Sequence, residues 1–300
     1  MTKIQSWVSA ARLRTLPLSV SGIIAGTGLA VKNGNFNILI LFLAIGTTLG
    51  LQILSNFAND YGDGVKGTDN EDRIGPARAI QSGLLNRQEM KTGILFTAGF
   101  TLLLAILLIY ISFGNKNFMH AIFFFFLGIS AIAAAIKYTV GSNAYGYRGL
   151  GDVFVFIFFG LVAVYGSYFL YSQDFNWLVI LPASAIGLLS VGVLNLNNMR
   201  DIESDKKAGK NTLVVKLGSE NSLIYHFALI IFSILCFLTY SVLTATGISE
   251  FLYVPAFILL VFHLKKVAKA ASPVLLDPEL KTLALTTFLI SVLFVIGMII

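Results

Sequence analysis

Two short polar segments stand out in this chain because each places oxygen-bearing side chains at helical spacing beside an apolar run. The first reads NDYGDGVKGTD from Asn59, and the second reads NLNNMRDIESD from Asn195. Residues four apart share one face of a helix, so each segment predicts a polar stripe at the end of a span. In both, an asparagine is followed by an aspartate four residues later and then by a further acid: Asn59, Asp63 and Asp69, and Asn197, Asp201 and Asp205.

The acidic residues of the first segment are unusually concentrated. A third of the chain's 15 acids lie between residues 56 and 75, namely Asp60, Asp63, Asp69, Glu71 and Asp72. Carboxylates this close raise one another's pKa unless a cation neutralises them. Oxygen ligands in this number suit Mg²⁺, which commonly links a few carboxylates to substrate phosphates. The candidate metal ligands are Asn59, Asp60, Asp63, Asp69, Asn197, Asp201 and Asp205, with Asp69 brought in by a turn predicted at Gly64–Gly67.

Basic residues follow both acidic segments. Arg73 and Arg78 come after the first, and Lys206, Lys207 and Lys210 come after the second. Acids that hold a metal and bases that contact phosphate oxygens together form a diphosphate site. A single acidic loop beside a membrane is usually only solvated, but two segments with the same order of residues favour a functional site.

The composition is that of an integral membrane protein built of α-helices. Hydrophobic residues make up 56% of the 300 positions, and the mean hydropathy is +0.82, well outside the range of soluble proteins. The first apolar span lacks a small-residue cleavage site, so we expect it to be retained rather than removed as a signal peptide. Windows long enough to cross a bilayer predict nine spans in one domain, residues 1–300, with long loops at 60–91 and 199–222. The predicted spans are about 15–32, 37–59, 92–112, 118–138, 151–172, 176–198, 223–246, 250–268 and 282–300.

The distribution of positive charge orients these spans. With the N-terminus inside, only Lys32 and Lys116 of the 21 Lys and Arg residues fall on the outer face. This asymmetry predicts that the long loops and the N-terminus are cytoplasmic and that the C-terminus lies on the opposite side of the cytoplasmic (inner) membrane. The basic residues are spread over several membrane-edge loops, so the net charge of +6 does not indicate nucleic-acid binding.

Three blocks of sequence carry a family resemblance. NDYGDGVKGTDNEDRIGPARAIQSG and NNMRDIESDKKAGKNTLVVKLG resemble the two aspartate motifs of the UbiA superfamily of intramembrane prenyltransferases. YGYRGLGDVFVFIFFG, residues 145–160, is similar to the branch that prenylates 1,4-dihydroxy-2-naphthoate in menaquinone synthesis. The resemblance runs from about Arg12 to Gly218. Many members have a third acid at the position of Gly67, so here either Asp69 or Asp72 completes the first set.

The resemblance implies a fold and a reaction. The fold is an all-α bundle of nine transmembrane helices with an active-site cavity open to the cytoplasmic side. The reaction is Mg²⁺-dependent transfer of a polyprenyl group from polyprenyl diphosphate to 1,4-dihydroxy-2-naphthoate, with loss of CO₂ and diphosphate, giving demethylmenaquinone. The expected partners are these two substrates and membrane lipid.

The resemblance also implies roles for individual residues. Asp63 and Asp201 are the central catalytic acids, because Mg²⁺ bound beside them would act as a Lewis acid on the leaving diphosphate. A cation must hold the acceptor's carboxylate, and Tyr138, Tyr145 or Tyr147 would stabilise the carbocation through a ring face. The candidates for these contacts are Lys137 and Arg148 for the carboxylate, Arg78 and Lys210 for the diphosphate, and then Arg73 and Lys206.

Two other functions stay open from the residues alone. One is prenyl transfer to another aromatic acceptor, such as 4-hydroxybenzoate, homogentisate or a porphyrin, against which only residues 137–152 argue. The other is secondary transport, since paired polar motifs at helix ends also mark transporters. Transport sites tend to lie near the middle of the membrane, whereas these acids lie at its edge. His120, His226 and His263 have no ligand spacing and predict no metal site.

Overall fold

The computed structural model describes residues 2–68, 74 and 78–300, and the regular structure there is helical. Nine segments of this part of the chain are long and apolar enough to cross a membrane, which confirms the predicted number and class of spans. The helices are α1 (Lys3–Ala11), α2 (Leu16–Lys32), α3 (Ile38–Lys66), α4 (Arg87–Phe113), α5 (Phe118–Lys137), α6 (Gly151–Val155), α7 (Ser167–Ser172), α8 (Ile180–Arg200), α9 (Ile202–Lys207), α10 (Leu213–Thr244), α11 (Phe257–Ala268) and α12 (Asp277–Ile299). A π-helical segment, Phe156–Gly166, joins α6 to α7 in one span.

Several predicted boundaries are wrong at the ends that carry polar residues. α3 continues to Lys66, and only Gly67, with a φ of +72°, remains of the turn predicted at Gly64–Gly67. The first segment of α10 begins at Leu213, where the Thr212 hydroxyl accepts a hydrogen bond from a backbone N–H of the first turn, and a break at Gly218, with a φ of +78°, separates it from the long helix. Helices therefore extend into both predicted loops, 60–91 and 199–222. Hydropathy detects only the apolar part of a helix. It does not detect the polar ends, where capping and paired side chains let the helix continue.

The helices pack into two groups that α2 connects. α3 packs against α4 and α5 around buried residues such as Leu54 and Met90. α8 packs against α10, α12 and the π-helical segment around Ile186 and Leu189. α2 contacts α3 on one side and α12 and the π-helical segment on the other. This arrangement places the ends of α3 and α8, which carry the two acidic segments, on facing sides of the bundle.

Glycines allow the closest helix contacts. A Cβ on Gly26 of α2 would lie 2.3 Å from the carbonyl oxygen of Val164, and one on Gly22 would lie 2.6 Å from the Ala163 Cβ. On the other side of the π-helical segment, a Cβ on Gly160 would lie 2.8 Å from the Gly187 Cα of α8. Small residues spaced four apart let helix backbones approach closely in membrane proteins. The π-helical segment is therefore held between α2 and α8.

Two of the three histidines are partners in space, which sequence spacing does not reveal. The Nε2 atoms of His226 on α10 and His263 on α11 are 3.0 Å apart, and His263 Nδ1 is 2.7 Å from the Glu279 Oε2 of α12. All three side chains are buried. Buried polar groups of this kind are stable only when they are hydrogen-bonded to one another. These hydrogen-bonded side chains therefore link the last three spans, which are also packed through apolar contacts.

Substituting Gly26 by alanine should destabilise the protein, because the added methyl group overlaps the Val164 carbonyl. We expect a loss of about 1–3 kcal/mol, the usual cost of overpacking. The matched control is Gly99→Ala in α4, where a Cβ meets no atom within 4 Å. Thermal unfolding of the detergent-solubilised variants measures the difference, and equal melting temperatures would show that the α2 contact is not close-packed.

Candidate active site

Asp63, near the end of α3, lies at the centre of the polar contacts. Its side chain is buried, at 1% exposure. The Arg78 Nη1 donates to Asp63 Oδ2 at 2.7 Å, and the Tyr147 hydroxyl donates to Asp63 Oδ1 at 2.7 Å. Arg78 also donates to the backbone carbonyl oxygen of Asn59 at 2.9 Å. The carboxylate is therefore held from both of its oxygens by groups that come from other parts of the chain.

Asp60 lies one turn earlier on α3 and pairs with two guanidinium groups. Arg12 donates to Asp60 Oδ1, and Arg78 Nε is 3.7 Å from the same oxygen. Arg12 has a φ of +51°, which is rare for a residue other than glycine, and this conformation joins α1 to the start of the first span. Asp60 is 1% exposed, so its buried charge depends on these two guanidinium groups for neutralisation. Asp60 thereby ties the chain before α2 to the first acidic segment.

The second acidic segment is organised by Arg200, the last residue of α8. Its guanidinium makes two hydrogen bonds to Asp201, at 2.8 and 2.6 Å, and a third to the Asn197 Oδ1 at 3.0 Å. It also donates to the Asp277 Oδ1 of α12 at 2.5 Å. The helix is interrupted at Asp201, yet Asp201 N donates to the Asn197 carbonyl and Asp205 N to that of Asp201. The spacing predicted for the second stripe is thus kept through the break.

The two segments meet at Lys210. This side chain is buried, its Nζ lies 3.4 Å from Asp205 Oδ1, and the Asp63 carboxylate is near enough to act on its charge. Burial by itself lowers the pKa of Lys210, but the carboxylates of Asp63 and Asp205 outweigh this effect and raise it. Lys210 therefore stays protonated and links the first acidic segment to the second.

The acids fit a divalent cation in an open site. Burial raises the pKa of Asp205 to about 6, Lys210 opposes the rise, and the charges of Asp201 and Asp63 add to it. Its Oδ2 is buried without a hydrogen-bond partner among the described residues. Such an oxygen is costly to leave unpaired. In residues 2–68, 74 and 78–300 no three acidic, histidine or cysteine side chains enclose a metal by themselves. Amide oxygens, water and substrate phosphates would supply the remaining ligands, as is usual for Mg²⁺.

A cavity of about 750 Å³ connects this charged region to an apolar interior. Its lining on α3 runs from Asp63 back to Ala44, which is about 28 Å along a helix. Phe124 lines it, whereas its neighbours Phe123 and Phe126 are exposed on the outside of the bundle. The charged lining residues are Arg12, Arg14, Asp60, Asp63, Arg78, Arg200, Lys210 and Lys281, and the uncharged polar ones include Thr47, Thr48, Gln52, Ser55, Asn56, Asn59 and Asn197. The apolar part includes Ile23, Ala44, Leu108, Phe124, Phe154, Phe158, Phe159 and Leu170.

The other predicted site residues are divided between the cavity lining and its surroundings. Asp201 and Asp205 lie outside the lining and contact it through their partners Arg200 and Lys210. Tyr138 and Tyr145 line the cavity, and burial raises the pKa of both hydroxyls. Lys137 and Arg148 are exposed and lie outside the described lining, and Arg148 donates to Asn143 in its own loop at 2.6 Å. Lys206 is exposed on α9. Asp69 and Arg73, together with the alternative Asp72, lie outside the described residues.

Sequence reasoning missed two arginines of this site. Arg12 and Arg200 have their partners far along the chain, in Asp60 and Asp277. The sequence marks these two arginines only by their position, because each lies next to an apolar span. Position alone predicts only a membrane-edge residue.

Comparison with known proteins places the chain in a family. Residues 19–274 match the UbiA prenyltransferase family. A protein of Haemophilus influenzae named 1,4-dihydroxy-2-naphthoate octaprenyltransferase is 44% identical, over 99% of this chain and 97% of its own. A protein of the same name from Escherichia coli is 42% identical, over 99% and 96%.

A solved structure shares the fold. A UbiA homolog from Archaeoglobus fulgidus bound to DMAPP and Mg²⁺ superposes with a TM-score of 0.67 at 16% identity, over 96% of this chain and 99% of that one. Since the family match covers most of the chain and the two relatives align along nearly all of it, the protein belongs to the UbiA prenyltransferase family.

Proposed function

We propose that this protein transfers a polyprenyl group from polyprenyl diphosphate to 1,4-dihydroxy-2-naphthoate, with release of diphosphate and CO₂, to give demethylmenaquinone in its reduced form. Two relatives that align over 99% of the chain have this transferase name. The structural observation that carries the proposal is one continuous cavity, charged at one end and mostly apolar along the rest of its length. A prenyl diphosphate has the same division between its head and its tail.

The charged end is suited to removing the diphosphate. Arg78 and Lys210 are the proposed diphosphate contacts among the described residues, and Asp63, Asp201 and Asp205 are the proposed metal ligands with Asn59 and Asn197. Mg²⁺ bound there would supply Lewis-acid neutralisation of the leaving group, and the Archaeoglobus homolog bound to DMAPP and Mg²⁺ supports this choice. The C–O bond of the prenyl diphosphate breaks, and its electron pair leaves with the diphosphate.

The acceptor then forms the new bond. The ring carbon that carries the carboxylate attacks the allylic carbon, and the bond to the carboxylate breaks so that its electron pair restores the aromatic ring and CO₂ leaves. Tyr138 and Tyr145 line the cavity and would face the cation with their rings. Their raised pKa values keep the hydroxyls protonated, so they add no competing phenolate nucleophile.

The carboxylate of the acceptor needs a positively charged partner. The cavity lining suggests Arg14, which the sequence analysis did not select. Arg14 lines the cavity with an exposed side chain and has no ion-pair partner among the described residues. The predicted Lys137 and Arg148 lie outside that lining. We propose Arg14 as the carboxylate contact, and the two earlier candidates are tested beside it.

The charge asymmetry of the sequence supports a placement in the cell. We propose that the chain is one domain of the cytoplasmic membrane, with its N-terminus and the charged cavity end on the cytoplasmic side. The acceptor would then reach the site from the cytoplasm and the prenyl tail from the lipid. Family membership favours the transferase over the secondary transporter.

Purified protein should release labelled CO₂ from carboxyl-labelled 1,4-dihydroxy-2-naphthoate when a polyprenyl diphosphate and Mg²⁺ are present. The release should match the prenylated product mole for mole, because the carboxylate leaves from the carbon that is substituted. Parallel reactions with 4-hydroxybenzoate and homogentisate measure the choice of acceptor. Prenylation of either of these in place of naphthoate would assign the protein to another acceptor.

Replacing Asp63, Asp201 or Asp205 by asparagine should lower kcat by about 100-fold or more, because a carboxylate beside the leaving group is lost. The matched control is Glu203→Gln, which removes an exposed acid from α9, two residues before Asp205. The control should keep wild-type kcat at saturating Mg²⁺. Near-normal turnover in Asp63→Asn or Asp201→Asn, in protein that melts like wild type, would remove these residues from the site.

Arg14→Gln should raise the KM for naphthoate by about 10-fold, since a charge-assisted hydrogen bond contributes about 1.5–3 kcal/mol. The KM for the prenyl diphosphate should stay within twofold of wild type. Lys137→Gln and Arg148→Gln are measured in the same assay, and Arg87→Gln, exposed at the start of α4, is the charge control. A KM increase confined to Lys137→Gln or Arg148→Gln would return the carboxylate contact to that residue.

A further inference from the structure

Tyr147 is placed differently from the other two tyrosines of its loop. Tyr138 and Tyr145 belong to the described lining of the cavity, and Tyr147 does not. Its half-buried side chain points instead to the end of α3, where its hydroxyl oxygen lies 2.7 Å from Asp63 Oδ1 and 2.5 Å from Thr68 Oγ1. A role in facing the carbocation, as the sequence predicted, is therefore unsuited to Tyr147.

The direction of these hydrogen bonds follows from proton count. A tyrosine hydroxyl has one proton, and the Asp63 carboxylate can only accept. Tyr147 therefore donates to Asp63, and Thr68 donates to Tyr147. A tyrosine hydroxyl, with an ordinary pKa of about 10, keeps this proton at physiological pH.

The ring of Tyr147 is fixed by two lysines. Lys66 Nζ lies 3.7 Å from the ring centroid and Lys210 Nζ lies 5.7 Å from it, both within the range of cation–π attraction. The backbone carbonyl of Tyr147 accepts a hydrogen bond from Asn211 N at 3.1 Å. One residue thus contacts the end of α3 and the segment after α9, which are the two parts of the chain that carry the acidic motifs.

The Tyr147 hydroxyl also fixes the orientation of the Asp63 carboxylate. Arg78 fixes Oδ2 from one side, and a carboxylate held through one oxygen alone can still turn about its Cβ–Cγ bond. With Tyr147 on Oδ1 the carboxylate plane is set, and each oxygen keeps a lone pair for a further ligand.

We propose that Tyr147 is a positioning residue, whose hydroxyl orients the Asp63 carboxylate for metal and whose ring keeps Lys210 beside it. The inference rests on the proposed function, because it assigns Asp63 to the metal of that reaction. Donors behind a metal ligand typically change metal affinity by 10- to 100-fold when they are removed. Loss of the hydroxyl should therefore act on the metal requirement more than on the fold.

The test compares Tyr147→Phe with wild type in two measurements. The first is the Mg²⁺ concentration that gives half-maximal turnover, which we expect to rise by about 10-fold or more, with kcat recovering at high Mg²⁺. The second is calorimetric titration of Mg²⁺ into protein saturated with geranyl thiolodiphosphate, an unreactive substrate analogue, where the Kd should rise by the same factor. The KM for naphthoate should not change.

Controls separate this role from simple packing. Tyr225→Phe removes a tyrosine hydroxyl 3.4 Å from another buried aspartate, Asp152, and should leave the Mg²⁺ titration unchanged. Thr68→Val keeps the Tyr147 ring and hydroxyl but removes the threonine hydroxyl that donates to Tyr147. This variant should raise the Kd for Mg²⁺ by a few fold. Thr68→Val keeps the proposal testable if Tyr147→Phe does not fold.

The outcomes distinguish the two proposals. If wild-type protein binds Mg²⁺ with the analogue but does not prenylate naphthoate, the proposed function is contradicted. The effect of Tyr147→Phe on the Kd for Mg²⁺ can still be measured in that case. Active wild-type protein with equal Mg²⁺ half-saturation and Kd in Tyr147→Phe overturns the inference. A lower melting temperature with an unchanged Kd also overturns it, because that result assigns Tyr147 a structural role only.

Discussion

Every feature of the site depends on neutralising carboxylates that the fold buries near the ends of its helices. Asp60, Asp63 and Asp205 are each 2% exposed or less. Buried charges are tolerated only when they are paired and hydrogen-bonded. Arginines and a lysine from distant parts of the chain supply that pairing, so the electrostatic requirement itself draws the two acidic segments together. The proposed function uses the same groups, since a diphosphate and its metal carry charges of both signs, as these paired side chains do.

The cavity has two chemical environments, one polar and one mostly apolar. At one end, ion pairs and tyrosine hydroxyls form a polar environment that can take up the charge of a leaving diphosphate. Over the rest of its length, the lining is mostly aromatic and aliphatic and favours an isoprenoid chain, although a few hydroxyl and amide side chains such as Thr47 and Gln52 lie among them. Exclusion of water from that apolar part also protects an allylic cation from hydrolysis. The proposed reaction needs both environments within a few ångströms of each other.

The close packing and the cavity depend on the same segment. Residues 156–166 form a π-helical stretch, whose wider turn is rare and is often found at functional sites. Gly160 on one side and Ala163 on another meet the glycines of α8 and α2, while Phe158 and Phe159 line the cavity. Tight contact on two sides of this segment therefore positions the aromatic wall on its third side.

The sequence by itself determined the membrane class, the nine spans and the two Asn-x-x-x-Asp segments, because hydropathy and helical spacing are local properties. It also singled out Asp63, Arg78 and Lys210, which line the charged end of the cavity, and Asp201, whose partner Arg200 lines it. Only the tertiary structure decided that Arg12 pairs with Asp60 and Arg200 with Asp277, that Tyr147 contacts Asp63, and that Lys137 and Arg148 lie outside the cavity lining. Those pairings depend on which helix faces meet across the bundle and how far each side chain reaches, and neither quantity is encoded in residue spacing along one helix.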